Sequence, residues 1–254
     1  MQEIKTVDVL VIGGGINGAG IARDLAGRGV SVLLCEKDDL AGATSSASTK
    51  LIHGGLRYLE HMAFRMVREA LMEREVLLHA APHIISPMTF ILPHHRDLRP
   101  WWLIRLGLFL YDRLGGRGTL PASSGIAFAG TKYGQPLKLE YRRGFSYADC
   151  WVDDARLVAL AALDAHEKGA EILTRTECVA LAPATEGGGW EAVLLDAITG
   201  QNIPVRAKAI VNAAGPWVMK VLGLAGGKAE PQHKIRWVKG SHIMLPRLYE
   251  GEHA

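Results

Sequence analysis

Residues 7–39 read VDVLVIGGGINGAGIARDLAGRGVSVLLCEKDD. The stretch opens on a mostly apolar run, Val7 to Ile12, of the kind that forms a strand buried on both faces in a parallel sheet. Gly13, Gly15 and Gly18 follow as G-x-G-x-x-G. Ile21, Ala22, Leu25 and Ala26 then recur at helical spacing, and Gly29 is a stop signal. Val30 to Cys35 is a second apolar strand with Glu36 at its end. A glycine fingerprint alone is weak evidence. Here it lies between a strand and a helix, and an acid stands 21 residues after Gly15, which is the context a dinucleotide site requires. Gly13 permits the tight turn, Gly15 lets backbone approach a pyrophosphate, and Gly18 lets helix pack on strand. The helix N-terminus attracts the anion, and Asn17 sits in its first turn. Glu36 can accept hydrogen bonds from both ribose hydroxyls and would repel a 2′-phosphate.

The chain after Glu36 decides which dinucleotide. An NAD domain would continue with another helix and strand. This chain runs instead into DLAGATSSASTKLIHGG (39–55), rich in Gly, Ser and Thr. Such a loop offers hydroxyl and backbone donors to further phosphate and polyol, as the longer FAD molecule needs. A plain linker is the alternative.

The 254 residues allow one large domain or two smaller ones, with 48% hydrophobic and 22% charged residues, an ordinary balance for a chain with a substantial core. A net charge of +3 is too small to point to nucleic acid. Residues 94–143 hold nine Lys/Arg against three Asp/Glu, a local +6. That fits a phosphorylated substrate, an anionic membrane surface or a solvated basic loop. Cys35, Cys150 and Cys178 are far apart and lack C-x-x-C spacing, which argues against a disulfide framework or a metal site and for a reducing compartment. Met1 to Asp8 is a short polar lead with no visible signal peptide.

IGGGINGAGIARDLAGRG (12–29), TSSASTKLIHGGLRYLEH (44–61), CWVDDARLV (150–158), VNAAGPWV (211–218) and KGSHIMLPR (239–247) occur in that order. Together they resemble the FAD-dependent, aerobic glycerol-3-phosphate dehydrogenases, bacterial enzymes of the D-amino-acid-oxidase-like flavoprotein group. The resemblance implies an α/β fold: a Rossmann-like FAD-binding domain with a parallel sheet and a β-meander, plus part of a substrate-binding α+β domain. The boundaries expected are 1–87 and 150–226 for the first, 88–149 and 227–254 for the second. Family chains continue well past this length, so the sequence is expected to be an N-terminal portion, inactive alone.

The same resemblance implies oxidation of sn-glycerol 3-phosphate to dihydroxyacetone phosphate, with electrons passed to quinone or another acceptor. It also implies peripheral contact with the cytoplasmic face of the membrane and a homodimer. Thr44, Ser45 and Ser46 are assigned to the FAD phosphates and ribityl chain. Lys50, Leu51 and His53 fall at the flavin ring, beside which Gly54 and Gly55 let the backbone pass. Val179 holds the adenine edge by its backbone, and Gly215 follows small residues that pass close to the cofactor. Arg57 reads the substrate phosphate, where a bidentate fork outperforms Lys, and Tyr58 and Lys239 also bind substrate. His242 and His53 are rival candidates for the base. A related flavin oxidase of amines or amino acids, with Arg57 clamping a carboxylate, is the competing reading.

Between the motifs, Ala63, Met66, Val67, Ala70, Leu71, Leu77, Leu78 and Ala81 mark one apolar helix face, with Glu75 on the wet side. Residues 88–93 read as a strand and 119–138 as a surface stretch. RPWWLIRLGLFLYDRLGGRG (99–118) is ambiguous: either a core helix with snorkelling arginines or an interfacial helix. Leu103, Leu106, Leu110 and Leu114 are its candidate core face. Asp153 and Asp154 precede a helix ending near Gly169, and AEILTRTECVALAP (170–183) reads as one strand. A hairpin around Thr199-Gly200 leads into a final strand.

Overall fold

The computed structural model describes residues 4–116, 118–226, 238, 240–243, 245–251 and 253–254. The chain divides into two units, Met1–Ser48 with Asp154–Ser241 and Thr49–Asp153 with His242–Ala254.

The first unit is built on a six-stranded sheet. Its strands are β1 (Lys5–Ile12), β2 (Val32–Cys35), β7 (Glu171–Leu173), β8 (Thr176–Pro183), β9 (Trp190–Asp196) and β10 (Asn202–Asn212), in the order β7-β2-β1-β10-β9-β8. β7, β2, β1 and β10 are parallel, while β10, β9 and β8 form an antiparallel meander. The two-sided burial expected of the apolar runs has a specific cause. Val11, Val32 and Leu34 face Ala22 and Ala26 of α1 (Ile16–Gly27) and Ala165 of α4 (Asp154–Glu167). Their alternates Leu10, Ile12, Leu33 and Cys35 face Cys178, Leu181, Ala192 and Leu194 of the meander. Helices thus cover one face of the parallel strands and β8–β9 curl over the other. Leu10, Leu33, Leu34 and Leu194 are fully buried, each contributing about 2 kcal/mol.

The single strand read over 170–183 is two. Arg175 takes a left-handed φ of 52°, and the chain turns there. Glu36 N–H donates to Leu173 O, and Thr176 N–H donates to Glu36 O. β7 therefore ends one edge of the sheet while β8 begins the meander that ends the other.

The second unit has β6 (Arg143–Val152) at its centre. β4 (Ile85–Pro93) pairs along its whole length, and β3 (Leu51–Ile52) and β5 (Ser124–Ala127) share its other side, all antiparallel. α2 (Phe64–Ala80) and α3 (Trp101–Leu114) contribute Val67, Leu71 and Tyr111 to a core with Leu56, Leu59, Leu114 and Tyr147. Residues 49–87, expected with the nucleotide-binding part, sit here because β3 and β4 pair with β6. β5 lies within the stretch read as surface. The core side of α3 is Leu108 and Tyr111, while Leu106 is 46% exposed. Among the described residues, no helix is long and apolar enough to cross a membrane.

Candidate functional site

α1 begins at the end of the glycine run. Gly15 is its N-cap residue, with no side-chain cap bond and no acid in the first turn, so the helix brings no carboxylate of its own to its N-terminus. The glycines are explained by distance. A Cβ on Gly18 would lie 1.8 Å from Gly13 O, and one on Gly13 would lie 2.5 Å from Ala213 O. Strand, turn, helix and the end of β10 therefore meet backbone to backbone, and Gly13 adopts a φ of 116° that other residues rarely take.

This corner opens into a cavity of about 560 Å³ in the first unit. Gly13, Gly15, Asn17, Glu36, Thr44, Ser45 and Gly215 line it. Glu36 is held from two sides: Oε2 accepts from Gly14 N–H at 2.6 Å and Oε1 from Asp38 N–H at 2.9 Å. Each oxygen keeps a lone pair for a further donor. Ser45 Oγ accepts from Ile16 N–H at 3.0 Å, so this hydroxyl braces the helix start as well as facing the cavity. Gly18 packs beneath the site. Ser46 is absent from the cavity lining, its hydroxyl donating to Ala43 O in the local turn. Val179 is absent too, lying on β8 at the irregularity where pairing with β9 shifts. Its neighbours Glu177 and Cys178 line the cavity instead.

Sequence reasoning missed part of the lining. Lys37 Nζ lies 4.2 Å from the Trp217 ring centroid, and Lys220 pairs with Glu177 at 2.7 Å. All four line the cavity. The signal was the Trp of VNAAGPWV, which follows a Gly-Pro pair and so marks a turn. Cys35 and Cys178 also reach the wall; burial pushes both thiols up, Cys178 to about 11, so neither is a thiolate. The donor set suits an FAD dinucleotide portion: an open helix N-terminus and hydroxyls for phosphate, a braced carboxylate for ribose.

Of the remaining expected residues, Lys50, Leu51, His53, Arg57, Tyr58 and His242 lie in the second unit. Lys50 has a φ of 57°, and its O accepts from Val152 N–H at the start of β3. Leu51 pairs with Trp151. His53 is exposed, and its Nδ1 accepts from Gly55 N–H at 2.9 Å. With that bond made, the neutral ring carries its proton on Nε2. Arg57 and Tyr58 are exposed on the 3₁₀ turn Leu56–His61, and Arg57 makes no ion pair among the described residues. His242 is exposed, and Lys239 lies outside the described residues.

The two glycines after His53, expected to make room for a flat ring, have a packing reason. A Cβ on Gly54 would meet Leu71 Cδ2 at 2.3 Å and Tyr111 Oη at 2.8 Å, while Gly55 is left-handed with the Tyr58 ring 2.6 Å from the Cβ it lacks. Beneath them lies a polar core. Tyr111 O–H donates to Asp149 (2.8 and 3.0 Å), and Arg74 Nη1 donates to the same carboxylate at 2.7 Å. Arg74 Nη2 reaches Glu75 at 3.2 Å, and Glu75 accepts from Thr119 N–H and Oγ1–H at 3.0 and 2.8 Å. Glu75 is thus a tethered, half-buried group rather than a wet one. Burial raises the Asp149 pKa despite Arg74 and Tyr111. For Glu75 burial also pushes upward, but the Thr119 bonds and Arg74 outweigh it and its pKa falls.

The family model for the FAD dependent oxidoreductases matches residues 8–254. The chain belongs to the FAD dependent oxidoreductase family. It is 56% identical over 254 residues to D-erythritol 1-phosphate dehydrogenase of Brucella abortus, covering 100% of this chain and 50% of that protein. It is 59% identical over 250 residues to glycerol-3-phosphate dehydrogenase of Pseudomonas aeruginosa, covering 98% and 48%. The FAD complex of glycerol-3-phosphate dehydrogenase from Bacillus halodurans matches with a TM-score of 0.64 at 30% identity, over 86% of this chain and 36% of that one. The chain spans about half the length of the curated relatives it matches.

Proposed function

We propose that the protein oxidises the secondary alcohol of a polyol phosphate with bound FAD, and that sn-glycerol 3-phosphate, giving dihydroxyacetone phosphate, is its substrate. The observation that carries this reading is the cavity where Gly13, Gly15, Glu36, Thr44 and Ser45 converge at an open helix N-terminus, in a chain 59% identical to a glycerol-3-phosphate dehydrogenase. Bound FAD supplies a hydride acceptor. The α1 N-terminus and the Thr44 and Ser45 hydroxyls hold its phosphates, and Glu36 accepts from ribose hydroxyls. Ser46 and Lys50 remain proposed for the ribityl and ring end, with Leu51 and the Val179 backbone as further cofactor contacts. Arg57 grips the substrate phosphate with two N–H groups, supported by Tyr58 and Lys239. His53 donates through Nε2–H, and His242 takes the hydroxyl proton.

A second reading, D-erythritol 1-phosphate as substrate, is favoured by the 56% identical relative. It uses the same phosphate grip with a longer polyol. The deciding experiment is anaerobic flavin bleaching of the FAD-loaded protein with sn-glycerol 3-phosphate, D-erythritol 1-phosphate and amino acids. Bleaching by amino acids alone would replace this reading with an amino-acid oxidase.

We further propose quinone as the electron acceptor, a homodimer, and peripheral attachment at the cytoplasmic membrane face. Trp102, Leu106 and Phe109 form an exposed stripe on α3, with Arg113 stacked 3.6 Å from the Phe109 ring. That is the pattern of an interfacial helix. Retention of binding to anionic vesicles after Trp102→Ser and Phe109→Ser would move the contact elsewhere.

A further inference from the structure

The second unit carries a line of buried polar groups that the proposed chemistry leaves unexplained. Arg74 and Asp149 are 7% and 3% exposed, and Tyr111 is 3% exposed. Arg74 occupies the buried stripe Val67, Leu71, Arg74 of α2, where an apolar side chain would be ordinary. A buried ion pair is not needed for stability, since a well-packed apolar replacement is often as good or better. What a polar network does supply is a preferred geometry, here with the Arg74 bonds made by its Nη atoms and Nε left without a partner among the described residues.

The geometry here ends on one backbone group. A tyrosine hydroxyl has one proton. Asp149 takes it with both oxygens at 2.8 and 3.0 Å, and Arg74 Nη1 donates to the same carboxylate, on Oδ1, at 2.7 Å. The Tyr111 oxygen is left only lone pairs, and Gly54 N–H donates to it at 2.7 Å. The next amide, Gly55 N–H, donates to His53 Nδ1, and Gly55 O accepts from Tyr58 N–H at 2.8 Å. Leu71 closes on Gly54 so tightly that no Cβ fits. Each backbone group between His53 and Tyr58 in this set has one assigned partner, and the first of them is set from the core.

We propose that Tyr111, oriented by Asp149 and Arg74, is a positioning residue that fixes the His53–Arg57 turn and so aims His53 Nε2–H and the Arg57 guanidinium. The inference rests on the reading above that His53 and Arg57 serve the substrate. It assigns no contact with substrate or FAD to Tyr111 itself.

The test uses the full-length, FAD-loaded protein and its Tyr111→Phe and Asp149→Asn variants. Tyr111→Phe keeps the ring and removes the acceptor for Gly54. Expected are unchanged flavin content per chain, a kcat on sn-glycerol 3-phosphate lowered on the order of 10- to 100-fold, as small misplacements of reacting groups produce, and a much smaller change in KM. Hydrogen–deuterium exchange should rise in the peptide spanning residues 51–58. Asp149→Asn retains an acceptor for the Tyr111 proton and should lose less kcat than Tyr111→Phe. A lower melting temperature with unchanged kcat per bound flavin would mean that Tyr111 is merely structural, and the proposal falls. Should Tyr111→Phe not fold, exchange in the wild type decides: a Gly54 amide exchanging as fast as open loop amides overturns the proposal, and a protected one supports it. Should the wild type fail to bleach with either polyol phosphate, the functional reading fails, and the exchange measurements alone judge the positioning role.

Discussion

Gly18→Ala is the sharpest perturbation of the nucleotide site. The added Cβ would sit 1.8 Å from Gly13 O. An ordinary carbon–oxygen contact needs roughly 3.3 Å, so helix and turn must part by about 1.5 Å. The obstacle is backbone on both sides, and no side chain can swing away. Overpacking of this kind costs about 1–3 kcal/mol, and a backbone clash belongs at the upper end. The displaced element is the helix N-terminus proposed to hold the FAD pyrophosphate. A loss of about 2.8 kcal/mol corresponds to roughly 100-fold in the Kd for FAD. The control is on the same helix: a Cβ on Gly20 meets nothing within 4 Å, so Gly20→Ala should stabilise by about 0.8–1 kcal/mol through helix propensity and leave FAD affinity alone. The assay is fluorescence titration of the apoprotein with FAD, with thermal unfolding alongside. Equal affinities for the two alanine variants would refute the idea that close strand–helix approach sets the site.

Arg57→Ala should lower kcat/KM on sn-glycerol 3-phosphate by about 2–4 kcal/mol, and Arg57→Lys should be impaired too. Residual turnover of glycerol, which lacks the phosphate, should barely change in steady-state assays. Arg74→Met strands Asp149 in the core, and denaturant unfolding should show a loss of about 3–5 kcal/mol at neutral pH. Because the folded Asp149 pKa is raised above the ordinary 3.8, the folded state binds the extra proton. Its contribution therefore declines as pH rises through that window, and the Arg74→Met defect should shrink on acidification. Glu75 runs the other way: its folded pKa lies below 4.5, so its stabilisation is present above that pH and is lost as pH falls through the lowered value. Exchange at Thr119 should rise there, and Glu75→Gln should abolish that pH dependence.

The nucleotide-binding half was legible because its signals are local. An apolar run, three glycines at fixed spacing and a terminal acid each constrain a few consecutive residues, and Gly13, Gly15 and Glu36 fall together as read. The break at Thr174–Arg175 was hidden because the left-handed residue is an arginine, with no glycine or proline to mark it. Arg74 was invisible as a core residue because its burial depends on Asp149, 75 positions away. α3 is apolar on most sides, so periodicity could not orient it, and Leu106 was placed inward where Tyr111 belongs. The unit boundary fell at residues 48 and 153 because strand pairing with β6, a long-range property, recruits β3 and β4.

β10 lies beside β1 along Lys5–Ile12, and its last residues lead to Ala213, whose carbonyl walls Gly13. The fingerprint turn is synthesised before its neighbour, which lies 200 residues later. At about 5–20 residues per second, the emerging chain spends roughly 10–40 s with the glycine turn open on one side, while all of residues 49–153 are made. We expect the cofactor to be acquired late, after β10 clears the ribosome. Arrested nascent chains that retain FAD before Asn202 has emerged would contradict this order. A chaperone would meet a half-sheet, β1 paired with β2 alone, whose unpaired β1 edge is the surface most in need of shielding during that interval.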